Sequence, residues 1–150
     1  MKKVKSKNHI LLCLKEACLN RTVGITNYNE YSSRSHFVFT IHVTGRHRET
    51  KQIFRGKLNL IDLAGSERIL KSHAEGERIK EALNINQSLT TLGKVFLSLL
   101  NKQPHIPYRD SKLTHYLKDS LGGESKTMLI VQASQAANDL SETVSSLSFG

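Results

Sequence analysis

Apolar residues recur along this chain with two periods, and the changes between them mark its elements. Ile10, Leu14, Ala17 and Cys18 fall at i, i+4, i+7 and i+8, which predicts a helix over 6–20. Gly24 follows as a stop signal. Residues 26–36 form a polar loop crowded with Ser and Asn. Phe37, Phe39, Ile41 and Val43 then alternate with Val38, Thr40, His42 and Thr44, the pattern of a strand with one strongly apolar face. A turn at 45–49 and a returning strand at 53–61 complete an antiparallel hairpin, and Leu58, Leu60 and Ile61 mark the second strand as buried. Residues 66–83 are charged and weakly periodic, a loop with some helical turns.

The longest apolar stripe is Ile85, Leu89, Leu92, Val95, Phe96, Leu99 and Leu100, with Gln87, Ser88, Thr91, Lys94 and Ser98 elsewhere on the same helix. Pro104 and Pro107 forbid its continuation. Leu113, Leu117 and Leu121 predict a further helix, capped by Asp110 or Ser111 and ended by Gly122-Gly123. Lys112, His115 and Lys118 would lie on its outer side. Residues 127–134 have the continuous apolar character of a central strand. Asn138 or Asp139 opens a last helix, with Glu142 as a capping-box partner and Leu140, Val144 and Leu147 toward the core.

Composition narrows the class. The 150 residues are 38% hydrophobic and 23% charged, as in a soluble globular domain. No apolar run approaches membrane-spanning length, and after the basic start Met1-Lys2-Lys3-Val4-Lys5-Ser6-Lys7 no signal peptide is expected. Cys13 and Cys18 are five apart, not on one helix face, so neither a local disulfide nor a zinc site is expected, and the cytoplasm or nucleus fits. His42 and His47 read as surface histidines. The net charge is +9, and residues 1–75 carry 14 Lys/Arg against 6 Asp/Glu, or +8 of it. Such an excess favours an acidic partner surface. Nucleic acid is disfavoured, because no aromatic stacking platform, zinc spacing or helix-turn-helix cue accompanies the charge. There are no internal repeats or low-complexity linkers.

The chemistry centres on Gly56-Lys57-Leu58-Asn59-Leu60-Ile61-Asp62-Leu63-Ala64-Gly65-Ser66-Glu67. A strand delivers an aspartate and, three residues later, a glycine. An Asp at a strand end can hold Mg²⁺ through water, since that hard cation prefers oxygen ligands and keeps its waters. The glycine lets a backbone N–H approach a terminal phosphate with no Cβ in the way. Alone, Asp-x-x-Gly is a weak signal, more often a plain strand exit. Its context is more specific: Tyr31-Ser32-Ser33-Arg34-Ser35-His36 upstream, then Asn84-Ile85-Asn86-Gln87-Ser88-Leu89 and His105-Ile106-Pro107-Tyr108-Arg109-Asp110-Ser111-Lys112-Leu113-Thr114 downstream. In this order and spacing the four motifs resemble the kinesin motor domain, over about residues 20–150.

The resemblance implies an α/β fold: the C-terminal half of a kinesin-type P-loop NTPase domain, a central mixed sheet flanked by helices, over 1–150. It implies ATP and Mg²⁺ as ligands of the complete motor. Ser33 and Asp62 would lie near Mg²⁺ (Asp62 through water), and Asn29 and Ser32 near the phosphates. Gly65 would sense the γ-phosphate, and Arg34 would pair with Glu67 to position the lytic water. Lys71, Arg78, Lys80, Tyr108, Arg109, Lys112 and Lys118 would face the microtubule. The partners implied are tubulin and a second kinesin chain, with no nucleic acid and no membrane, in the cytoplasm on the microtubule cytoskeleton, the spindle included. Gly45-Arg46-His47-Arg48-Glu49 and the loop ending His105-Ile106-Pro107-Tyr108-Arg109 look most like kinesins with C-terminal motors, which usually move toward minus ends. The chain departs from the family at Gln87, where most members carry Lys or Arg, and so lacks a charge involved in coupling track binding to nucleotide release.

No Gly-x-x-x-x-Gly-Lys-Ser/Thr occurs in these residues. The phosphate cradle of a P-loop uses several backbone N–H groups and a lysine. The expectation is therefore a segment of a longer motor. The alternatives are a microtubule-binding module without hydrolysis, or a chain completed by a partner. Broken off from its other half, the sheet would leave apolar surface uncovered, so low stability alone is expected.

Overall fold

A computed structural model describes residues 1–22, 35–65 and 77–150, and of residues 77–79, 81 and 82 the backbone. The stop signal at Gly24 and most of the two expected loops, 26–34 and 66–76, lie outside the described residues. The chain divides into two units, Met1–Ala64 and Gly65–Gly150.

The first unit is a helix and a hairpin. Helix α1 spans Lys7–Thr22. Ser6 opens it, its hydroxyl accepting from His9 N–H at 3.3 Å. Its half-buried line is Ile10, Cys13, Leu14, Ala17 and Arg21; Cys18, expected on this face, is exposed. Strands β1 (Phe37–Arg46) and β2 (Ile53–Asp62) pair antiparallel, from Phe37 opposite Asp62 to Arg46 opposite Ile53. The turn falls later than its composition suggested. Gly45 and Arg46 remain in β1, and the reversal is closed by His47 N–H to Gln52 O at 2.8 Å, with Lys51 left-handed at φ 58°. Gly45 belongs in the ladder because the ring of its cross-strand partner Phe54 lies over it, where any Cβ would collide.

The buried strand expected at 56–61 is not buried. Leu58, Leu60 and Ile61 are all exposed, as are Ile53 and Phe54. Among the described residues the sheet has two strands, not the central mixed sheet expected, and the element packed on it is α1 against β1. A hairpin with one helix cannot cover both faces.

The second unit is helical. Helix α2 spans Glu77–Leu100 and begins well before Ile85. The run Glu77-Arg78-Ile79-Lys80-Glu81-Ala82-Leu83 is weakly amphipathic but made of good helix formers, so propensity extends what the stripe begins. Its end is a Schellman motif: Gln103 N–H donates to Ser98 O at 2.9 Å and Lys102 N–H to Leu99 O at 3.1 Å, with Lys102 left-handed at φ 48°. The chain has thus left the helix before either proline. A 3-10 turn, Tyr108–Asp110, leads into α3, Lys112–Leu121. Of the two candidate caps, Ser111 is the one used, accepting from Thr114 N–H at 3.1 Å.

Helices α2, α3 and the 3-10 turn pack together around Leu92, Val95, Leu113 and Leu117. Thr91 and Ser98, expected away from the core, are buried on α2, while Leu100 is 79% exposed. The buried line therefore runs between the predicted stripe and its polar flank.

Residues 127–134 form no strand, and Met128 and Ile130 are exposed. A strand exists only by pairing, and among the described residues the backbone ladder is that of β1 with β2 alone. Helix α4 (Leu140–Phe149) follows a second 3-10 turn, Ala137–Asp139. Its expected core face, Leu140, Val144 and Leu147, is exposed; its end approaches α2, where the Phe149 ring lies over Gly93. The capping box does not form either, because Asp139 Oδ2 accepts from Ser134 Oγ at 2.8 Å rather than from its own helix. No described helix is long and apolar enough to cross a membrane.

Candidate functional site

The periodicity of α1 brings a charged residue onto its half-buried line. Arg21 follows Ala17 by four, in the last turn, where the helix dipole favours a cation. Its side chain is only 13% exposed and is held from several sides. Nη1 donates to Asp62 Oδ2 at 2.6 Å, Nη2 to Ser35 O at 2.6 Å, and Nε to Ser35 Oγ at 3.4 Å. The guanidinium also stands 5.7 Å from the centroid of the Phe37 ring. Arg21 thereby joins the end of α1 to the two strand ends paired by Phe37 and Asp62.

A second tie runs beside it. His36 Nδ1 accepts from Ala64 N–H at 2.9 Å. Burial, and secondarily the Arg21 cation, hold the His36 pKa below the ordinary histidine value. The neutral imidazole is the form with a free Nδ1 lone pair, as that bond requires. Because the unfolded chain binds the proton more readily, this contribution is complete above the ordinary histidine pKa and is lost as pH falls through the lowered one.

Asp62, expected at the strand end, is 69% exposed there. Its Oδ2 faces Arg21, so a hydrated cation would be met through the other carboxylate oxygen, and a hard oxygen donor suits Mg²⁺. The described residues hold no cluster of three His, Cys, Asp or Glu able to ligate a metal unaided. Gly65 follows the buried Ala64 directly. Asn29, Ser32, Ser33, Arg34, Glu67 and Lys71 lie outside the described residues, and Arg78 is described in backbone only.

The ion pair and the packing of Arg21 differ in worth. Asp62 is well solvated, so Asp62→Asn should cost under about 1 kcal/mol. Arg21→Ala removes charged hydrogen bonds from a mostly buried group and should cost about 2–3 kcal/mol. Hydrogen exchange of the hairpin amides would measure both; equal costs would mean that the ion pair, not the buried anchor, dominates.

In the second unit the expected track residues have a defined base. Tyr108 sits in a turn closed by its own N–H to Ile106 O at 2.8 Å, with Pro107 at φ −80°, ψ 53°, close to an inverse γ-turn. Thr114, fully buried, donates from Oγ1 to Tyr108 O at 2.9 Å. The Tyr108 hydroxyl lies against Gly122, and Lys118 Nζ stands 5.9 Å from its ring centroid. Tyr108 is thus a half-buried anchor, while Arg109, Lys112 and Lys118 are exposed around it. Lys80 is exposed on α2.

Ser35 and His36 close the motif Tyr31-Ser32-Ser33-Arg34-Ser35-His36 without a role assigned to either, and Arg21 lies in no motif. The spacing of Arg21 from Ala17 was the available signal: a cation on a core-facing line calls for an acidic partner.

Residues 1–150 match the family model of the kinesin motor domain. The chain belongs to that family. Its likeness is to the KIN-14 and Kar3 members. It is 51% identical over 146 residues to kinesin-like protein KIN-14J of Arabidopsis thaliana, covering 97% of this chain and 14% of that protein. The solved motor domain of Kar3, a Saccharomyces cerevisiae kinesin-related protein, superposes with TM-score 0.83 at 43% identity, over 99% of this chain and 46% of that one. The C-terminal motor and motor homology domain of Kar3Vik1, fused to a synthetic heterodimeric coiled coil, gives 0.85 at 44% identity, over 99% and 38%. The chain spans under half the length of these relatives, so its fold is part of a kinesin motor fold.

Proposed function

We propose that this chain supplies the nucleotide-sensing loops and the track-gripping face of a microtubule motor that hydrolyses ATP. What carries the reading is the match of all 150 residues to the kinesin motor family. The anchored Asp62-Leu63-Ala64 strand end, at the root of the motif that continues through Gly65 to Glu67, supports it. In this reading Asp62 and Ser33 hold the hydrated Mg²⁺ of ATP, and Asn29 and Ser32 bind phosphate oxygens. Bound Mg²⁺ would neutralise charge on those oxygens. Gly65 N–H senses the γ-phosphate, and Arg34 with Glu67 positions the attacking water. Arg109, Lys112 and Lys118, carried by the Tyr108 anchor, meet the acidic track with Lys71, Arg78 and Lys80. A second kinesin chain as partner and minus-end movement go with the likeness to C-terminal motors, and the microtubule cytoskeleton with the family.

A second reading, a track-binding module without hydrolysis, is favoured by one observation: no P-loop motif occurs in these residues. Co-pelleting with microtubules across a salt series, with and without ATP, separates the two. Release by ATP is the expected result for the motor. Pelleting that weakens with salt but ignores ATP would leave only the binding module. No pelleting of the folded protein would end both readings.

A further inference from the structure

The backbone ladder of the hairpin ends at Phe37 and Asp62, yet Ala64, two residues beyond, is still buried at 5% exposure. A buried N–H needs a partner, and the ladder no longer supplies one. His36, one residue outside the ladder on the other strand, supplies it through Nδ1 at 2.9 Å. The side chain thus continues the strand pairing past the last backbone pair. Only the φ and ψ of Ala64 then separate this fixed amide from the N–H of Gly65, and burial of the Ala64 methyl leaves little room to turn them.

We infer that His36 is a positioning residue, which by accepting from Ala64 N–H fixes the direction of the Gly65 N–H at the exit of β2. The functional part of this inference rests on the reading that Gly65 meets the γ-phosphate. The contact itself does not. A peptide N–H aimed before the ligand arrives stabilises charge without reorganising at the moment of reaction, so its loss should appear in turnover more than in ground-state binding.

The test compares His36→Leu with His36→Asn in the intact protein. Asn places its Oδ1 near the position of Nδ1 and retains an acceptor there; Leu retains the bulk alone. The first readout is hydrogen exchange at the Ala64 amide, with the amides of residues 38–41 as the reference for general opening. His36→Leu is expected to speed Ala64 exchange about tenfold or more relative to that reference, and His36→Asn to stay within about threefold of the parent. The second readout is microtubule-stimulated ATP turnover. Leu should lower kcat about tenfold with KM for ATP within about threefold, and Asn should restore most of it.

Unchanged Ala64 exchange in His36→Leu would overturn the inference. So would equal losses of kcat in Leu and Asn variants that differ in Ala64 exchange. If His36→Leu opens the whole hairpin, the Asn variant decides: parental Ala64 exchange and kcat support the role, and loss of either overturns it. A parent protein without ATP turnover but with His36-dependent Ala64 protection would remove the motor reading while supporting the structural contact.

Discussion

Glu67→Ala, in a motor domain that contains this chain, is expected to lower steady-state ATP turnover about a hundredfold or more and to leave microtubule pelleting within about twofold. The proposed role of Glu67 is to bridge Arg34 and orient the attacking water. In that proposal the bridge would form once the γ-phosphate orders both loops, and its task would be to aim the water rather than to hold ATP. Removing a group with that task lowers kcat, and it leaves the exposed cations Arg109, Lys112 and Lys118 in place. A coupled ATPase assay beside co-pelleting reads both quantities on one preparation. Normal turnover in Glu67→Ala would sink the assignment of Arg34 and Glu67. Loss of pelleting in step with turnover would mean that the substitution acts on folding or on the track face, not on the water.

The elements legible in the sequence were those whose evidence is local. The hairpin shows in the alternation from Phe37 onward, and α3 in Leu113 and Leu117 together with a serine able to cap it. What was not legible depends on segments distant in the chain or on side chains that meet across strands. Residues 127–134 have a strand's composition, but pairing is a property of two segments, and these residues pair with no described one. Leu58, Leu60 and Leu140 look like core because they are apolar; burial needs a partner surface, which a sequence pattern cannot guarantee. Conversely Thr91, Ser98 and Thr114 are polar yet buried, each a small side chain, and Thr114 donates to Tyr108 O. In the candidate site Asp62 and Gly65 were found by motif. Arg21 and His36, which hold that motif in place, are visible only when the ends of α1, β1 and β2 are seen together.

Leu117→Ala is expected to destabilise the second unit by about 3 kcal/mol, within the range of about 2–5 usual for such truncations in a core. Leu117 is 2% exposed, on the face of α3 that packs against α2, where Val95 is fully buried and Leu92 nearly so. The truncation removes three carbons from a site whose neighbours are tied: Ser111 caps the helix, and Thr114 is bonded to the turn before it, so α3 cannot slide to fill the gap. Leu92, Val95, Leu113 and Leu117 are the buried apolar side chains among the described residues of this unit, and the loss of one is a large share of what holds the helices together. Leu100→Ala provides the contrast. At 79% exposure it should stay within about 0.5 kcal/mol of the parent. Urea unfolding followed by far-UV circular dichroism would read both. Because α3 and the preceding turn carry Lys112, Lys118 and Arg109, microtubule pelleting by Leu117→Ala should fall at the urea concentration where its helicity falls, below that of the parent. If the Leu117→Ala midpoint matched that of Leu100→Ala, Leu117 would not be part of a tight core. The Tyr108 anchor would then be held by its hydrogen bonds alone.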